Sequence, residues 1–144
     1  LEFRIDDVPG LRVATRVTRN VVFTDDGRMP DRYYTGPLLL MGWTEGAKVD
    51  DPRGFAERRF NGNSLLVDPK LGELKATNVG GLNGFEAVGT GKHRHLGYSV
   101  ASLVLVLYDE NGVFIARGYS DSPNAEKNFT LFRTIISSFR RQDG

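Results

Sequence analysis

The stretch YSVASLVLVLYDENGVFIARGYSDSPNAEKNFTLFRTIISSFR, residues 98–140, decides the fold. Two apolar runs, Tyr98 to Asp109 and Val113 to Ser120, flank Asn111-Gly112, the dipeptide that best tolerates the positive φ angles of a type I′ hairpin turn. A turn there sets Tyr108 opposite Ile115, Leu107 opposite Ala116 and Leu105 opposite Gly118. One sheet face then pairs leucines with small residues and leaves a shallow trough. The segment that follows can fill it. Ser122-Pro123 is a helix start, and Ala125, Phe129, Phe132, Ile135, Ile136 and Phe139 fall within an arc of about 120° at ~100° per residue. Glu126, Thr130, Arg133, Thr134 and Ser137 take the opposite side. Arg140 and Arg141 are expected in the last helical turn, where a cation favours the negative end of the helix dipole.

Working outward, Leu38 to Trp43 is apolar on both alternating faces, the mark of a strand covered from two sides and placed inside the sheet. Asp51-Pro52 reads as an N-cap with proline at the first helical position, opening a short helix through Phe55, Ala56 and Phe60 that stops near Gly62. Leu74 to Val79 and Phe85 to Thr90 read as strands separated by the turn residues Gly80-Gly81 and Asn83-Gly84. Nearer the start, Leu1 to Ile5 and Leu11 to Thr18 alternate as half-buried strands do, with Val8-Pro9-Gly10 turning between them. After Val21-Val22-Phe23 comes a long irregular stretch through Asp25-Asp26-Gly27 to Gly36-Pro37. The expectation is one α+β domain over residues 1–144, with a central antiparallel sheet of about six strands and helices on both sides, an α/β/α sandwich.

Composition narrows the function. At 144 residues, 40% hydrophobic, the chain suits one core. Nineteen basic against 18 acidic side chains give a formal charge of +1, far from the footprint of a dedicated nucleic-acid binder, so no nucleic-acid partner is expected. Lys92, Arg94, Arg140 and Arg141 could at most make a weak RNA patch. No cysteine is present, which removes disulfides, thiolate nucleophiles and sulfur-ligated zinc. The longest apolar run falls far below the ~20 residues that span a bilayer, so no transmembrane segment is expected. The sequence begins at Leu1, and the expectation is that a signal peptide or membrane anchor has been removed ahead of it.

Several of these features together resemble the PsbP-like family, which includes the photosystem II subunit PsbP, the Mog-type Ran-binding proteins and bacterial exported proteins. The likeness rests on Gly84-Phe85-Glu86, Tyr98 to Tyr108, Val113 to Gly118, and Phe132, Ile135, Ile136, Ser138 and Phe139, and covers chiefly the second half. It implies the sandwich fold and a non-enzymatic role in binding another protein; the expected setting is extracytoplasmic or periplasmic, with the cytoplasm as the alternative. No functional residue is carried over, because no functional motif of the family matches. A weaker likeness joins the closing hairpin and helix to the C-terminal accessory module of membrane-associated zinc peptidases, whose His-Glu-x-x-His ligand motif is missing.

Catalytic chemistry is thin, and catalysis and cofactors are not expected. His93 and His95, the only histidines, would point the same way from a strand and could supply half a metal site, but two ligands are not a site. Gly89-Thr90-Gly91-Lys92 lacks both the first glycine and the closing Ser/Thr of a phosphate loop. Gly-x-Ser-x-Gly is missing. The paired carboxylates Asp6-Asp7, Asp25-Asp26 and Asp50-Asp51 sit beside glycine or proline, where Asp supports turns and caps. Asn128-Phe129-Thr130 matches the glycosylation pattern from inside the final helix. The irregular stretch is different: long loops in compact domains are often functional, and Tyr and Arg are enriched at interface hot spots. Arg28, Arg32, Tyr33 and Tyr34 are therefore the candidate partner-binding residues. The reading is a non-catalytic protein-binding or assembly module, with a hydrolase or peptidase accessory domain built on His93 and His95 as its rival. An enzyme should set those histidines in a concave pocket with carboxylates.

Overall fold

The computed structural model describes residues 3–5, 10–17 and 19–141. In chain order the elements are β1 (Phe3–Arg4), β2 (Arg12–Val17), β3 (Asn20–Thr24), β4 (Leu38–Glu45), α1 (Pro52–Asn61), β5 (Leu66–Val79), β6 (Leu82–His93), β7 (Ser99–Asp109), β8 (Gly112–Asp121), a short 3-10 turn (Ser122–Asn124), α2 (Ala125–Ser137) and β9 (Arg140–Arg141). Seven strands make one antiparallel sheet in the order β2-β3-β4-β8-β7-β6-β5, and β1 pairs with β9 apart from it. That is one more strand than the sequence suggested, because the five-residue β3 pairs on both sides, with β2 and with β4. Residues 1–2, 6–9 and 18, which carry Asp6-Asp7 and part of the first expected strands and turn, lie outside the described residues.

β7 explains the layering. Its leucines 103, 105 and 107 pack with Phe114, Ala116, Phe132, Ile135 and Ile136, whereas Val104 and Val106 pack with Ala56, Phe60, Ala87 and Val113. Alternate side chains point to opposite faces of a strand, so β7 meets α2 with one face and α1 with the other. The cover is uneven. The ten-residue α1 lies chiefly over β5, β6 and β7, so the elements show an α+β fold with one antiparallel sheet, and helices covering the whole of both faces are not shown.

The β7–β8 hairpin forms, but its register differs from the one expected at Asn111-Gly112. Glu110 and Asn111 occupy the loop, Asp109 pairs with Gly112, and Leu107, Leu105 and Leu103 oppose Phe114, Ala116 and Gly118. The physical reason is Asp109, whose Oδ1 accepts hydrogen bonds from the backbone N–H of Asn111 (2.7 Å) and Gly112 (3.0 Å). This side-chain cap closes the turn without positive φ at Asn111 or Gly112. The slip is two residues along β8, so every side chain keeps its face. The trough survives: a Cβ built on Gly118 would lie 2.5 Å from the Phe132 ring. A turn with positive φ at both central residues occurs instead at Gly80 (φ 60°) and Gly81 (φ 85°), between β5 and β6. Asn83-Gly84, expected as a turn, lies inside β6, where Gly84 lets the backbone of Val106 approach.

Helix α1 starts where the sequence placed it, whereas Ser122-Pro123, the expected start of the last helix, opens a 3-10 turn and α2 begins at Ala125. The Asp51 carboxylate accepts from the Gly54 N–H at 3.1 Å, Pro52 follows, and α1 ends at Gly62. Helix α2 stops earlier than expected. It ends at Ser137, Phe139 turns inward to sit fully buried against Phe114 at 4.2 Å between ring centroids, and Arg140 and Arg141 belong to β9. Arg140 still serves the helix end, donating from Nη1 to the carbonyls of Phe139 (2.6 Å) and Ser137 (3.3 Å). Across α2, Arg133 donates Nε and Nη2 to Oε1 of Glu86 at 3.2 and 2.7 Å, so this helix face holds a nearly buried carboxylate rather than only meeting solvent.

Candidate functional site

The irregular stretch after β3 is held by its own polar side chains. Asp26 Oδ1 accepts from the Arg28 N–H (2.9 Å), and that bond, foremost among several influences, holds the Asp26 carboxyl below the usual carboxylate range. Thr24 Oγ1 donates to the Arg28 carbonyl at 2.9 Å. Asp31 Oδ1 accepts from the Tyr33 N–H (2.9 Å) and the Asp31 carbonyl accepts from the Tyr34 N–H (3.1 Å), forming a second turn. Tyr34 ties the two ends together. Its hydroxyl accepts from the Asp25 N–H (3.1 Å) and lies 2.7 Å from the Pro37 carbonyl and 2.9 Å from Asp25 Oδ1. Burial pushes the Tyr34 hydroxyl well above the ordinary tyrosine range. Arg32 rests over the Tyr33 ring at 5.0 Å. Asp25-Asp26 and Asp51 thus serve turns and caps, as their neighbours in the sequence suggested.

Two further connections reach the same end of the sheet. In the turn from β6 to β7, His93 Nδ1 accepts from the N–H groups of His95 (3.2 Å) and Leu96 (3.0 Å), and its ring stacks on Tyr98 at 5.0 Å. Arg94 crosses to the segment between α1 and β5, donating Nε to the Ser64 carbonyl (2.7 Å) and Nη2 to that of Leu66 (3.1 Å). In that segment Asn63 Oδ1 accepts from the Leu65 N–H, and Asn63 Nδ2 donates to the Tyr119 hydroxyl.

Between these connections lies a cavity of about 230 Å³. Its wall takes Pro30, Asp31, Arg32 and Tyr34 from the first loop, Ser64, Leu65 and Leu66 from the second, His93, Arg94, His95 and Tyr98 from the third, and Val100, Tyr119 and Asp121 from the sheet below. The structure therefore brings together Arg32, Tyr34, His93 and His95, which the sequence kept in two unrelated segments. Arg28 and Tyr33 belong to the same loop but not to the wall. Leu65, Tyr98, Tyr119 and Asp121 were missed. They are scattered through the sequence and share only a position at strand ends that pairing brings level, such as Val100 opposite Asp121.

The chemistry of this wall is specific in what it allows. His93 closes β6 and His95 sits in the turn, so the two do not share a strand face as the His-x-His spacing suggested. His93 Nδ1 accepts two backbone N–H groups, which leaves Nε2 as its available nitrogen. Among the described residues no three His, Asp or Glu side chains converge as a metal site requires. Asp31 and Asp121 do share the wall with both histidines. Ser120 is committed elsewhere, donating to the Asp121 carbonyl (2.9 Å) and accepting from Asn128 Nδ2 (2.8 Å). Burial raises the hydroxyl pKa of Tyr98, with a further push from Asp121, and burial does the same for Tyr119.

The rim is apolar. Met29, Tyr33, Leu65 and Leu96 are 59, 55, 42 and 45% exposed and are the large hydrophobic side chains that the described surface leaves in water. Leu65 lines the cavity, and each of the others is next in sequence to a residue that does.

No protein-family model matches the chain, and no curated protein matches it. Solved structures do. LpqN, involved in cell envelope biogenesis of Mycobacterium tuberculosis, aligns with a TM-score of 0.66 at 12% identity over 98% of this chain and 83% of its own. PA94, a protein of unknown function from Pseudomonas aeruginosa, aligns with a TM-score of 0.63 at 10% identity over 99% of both chains. A structure from Bacteroides thetaiotaomicron aligns with a TM-score of 0.57 at 9% identity over 99% of this chain and 46% of its own. At these identities the likeness establishes a shared fold, and fold alone does not carry function.

Proposed function

We propose that this protein is a non-catalytic binding module of the PsbP-like kind that takes a segment of a partner protein at the loop end of its sheet, inserting an apolar side chain into the cavity. The observation that carries the reading is that exposed Leu65 lines the cavity, and that the other exposed large hydrophobics, Met29, Tyr33 and Leu96, each adjoin a residue of its wall in the chain. Scattered exposed hydrophobics need no explanation, but a cluster rimmed by polar groups marks an interaction site. Size supports a side chain over a cofactor, because about 230 Å³ falls below the roughly 300 Å³ at which small-molecule sites usually begin. Tyr33 backed by Arg32 adds two residue types that are enriched at interfaces. An extracytoplasmic setting belongs to the same proposal, supported by the likeness to an envelope-biogenesis protein.

A photo-crosslinking residue at position 33 or 96 of the full-length protein in its source cell tests this. Discrete adducts from both positions, missing from position 75 on the outer strand, are the expected result. Equal labelling from all three positions, or none, would sink the proposal. With the adduct's protein in hand, Tyr33→Ala should weaken binding about tenfold or more at an unchanged melting temperature.

One observation favours a second reading: His93 and His95 share the cavity with Asp31 and Asp121, the arrangement a hydrolase would need. Turnover of ester or peptide substrates that His95→Ala removes without unfolding would carry it. Turnover that survives His95→Ala would end it.

A further inference from the structure

Away from that cavity, on the sheet face that carries α1, two adjoining hollows of about 340 and 380 Å³ are both lined by Arg59 and Arg117. Arg58 joins the larger one, and no carboxylate lines either. Arg59 comes from the last turn of α1 and Arg117 from the middle of β8, where it opposes Leu40 and Val104. None of the three arginines is ion-paired with a described carboxylate. Of the carboxylates near them in the chain, Asp51 caps α1, Glu45 accepts from the Trp43 indole N–H, and Glu57, beside Arg58, lines neither hollow; Arg59 lies over the Phe55 ring at 5.0 Å. Guanidinium groups that share a hollow repel each other unless an anion sits between them, and Arg presents a planar fork of donors that matches oxyanions. The helix dipole accounts for Arg58 and Arg59 at a helix C-terminus, but not for a third arginine brought to them from the sheet. Thr44 and Asn20 add neutral polar groups to the smaller hollow, and Leu40 and Ile115 give it an apolar wall.

We infer that Arg59 and Arg117 form a binding site for an organic phosphate, with the phosphate oxygens between the guanidiniums and the apolar part of the ligand against Leu40 and Ile115. The site is separate from the loop-end cavity and independent of what binds there.

NMR titration of the protein with inorganic phosphate and with phenyl phosphate, at ionic strength held constant with chloride, tests it. Phosphate should shift the Arg59 and Arg117 side-chain signals where chloride does not, and phenyl phosphate should bind more tightly and also shift Ile115. Arg59→Gln lies on the exposed helix surface and should weaken both ligands about tenfold, since each charge-assisted hydrogen bond contributes on that order. Arg117→Gln should do the same, its folding checked by the unchanged methyl signals of Leu103 and Leu105. Sedimentation with phosphatidylglycerol vesicles that Arg59→Gln abolishes would assign the phosphate to a lipid headgroup; phenyl phosphate binding with no sedimentation would assign it to a soluble ester. Equal shifts with phosphate and chloride, or phosphate binding unaffected by Arg59→Gln, would overturn the site.

Discussion

At the scale of single residues, the fold depends on two contacts between distant parts of the chain. Phe132 lies on Gly118, so Gly118→Val should force the ring and α2 away from β8 and cost about 1–3 kcal/mol, read as a lower midpoint in urea. Glu86 is the other case. Arg133 holds its carboxylate, and Arg133→Met should leave that charge nearly buried without a partner, at about 1–3 kcal/mol. Replacing both, Glu86→Met with Arg133→Met, should recover much of the loss; equal loss in the single and double variants would show that the pair does not act as a unit. Tyr119 sets an alkaline limit. Its hydroxyl titrates above the unfolded value near 10, because burial disfavours the phenolate. A raised folded pKa stabilises the protein below the unfolded pKa and loses that contribution as pH rises through the folded one. Stability should therefore fall above about pH 10, and Tyr119→Phe should remove only part of that fall, since burial raises Tyr34 and Tyr98 as well.

Elements show where local chemistry and long-range pairing agree. The start of α1 is wholly local: Asp51 caps, Pro52 presets φ, and Asp51→Ala should lower stability by about 1 kcal/mol. The β5–β6 turn is also local, requiring positive φ at both Gly80 and Gly81. Gly81 has open space around it, so Gly81→Ala tests backbone strain alone and should cost about 1–2 kcal/mol, with Gly81→Asn costing less because Asn tolerates the left-handed region. The β7–β8 hairpin is the contrary case. Asn111-Gly112 signals a type I′ turn, yet the Asp109 cap closes the loop one residue earlier. Gly112 is needed for another reason, the approach of the Thr44 backbone and Trp43 ring from β4. The Asp109 side chain thus sets a register other than the one the dipeptide signals. For α2 the apolar arc was right through Phe139, but buried Phe139 leaves the helix axis to reach Phe114, and so Arg140 and Arg141 pass into β9.

For the whole molecule, β7 and β8 lie at the centre, each paired on both sides and apolar on both faces. Their amides should exchange with solvent last, near the global unfolding free energy, while those of residues 25–37 and 94–97 exchange early. What the sequence determined by itself was whatever follows from neighbours in the chain: the alternation of β7, the amphipathic arc of α2, the cap of α1 and the composition of the Arg28–Tyr34 loop. Those patterns rest on backbone geometry and local hydrogen bonding, which a few residues define. Long-range packing was needed for the strand order, the pairing of Arg133 with Glu86, and the meeting of Arg32 and Tyr34 with His93 and His95. Each of those depends on which strand ends antiparallel pairing brings level, and that is set by the packing of residues tens of positions apart.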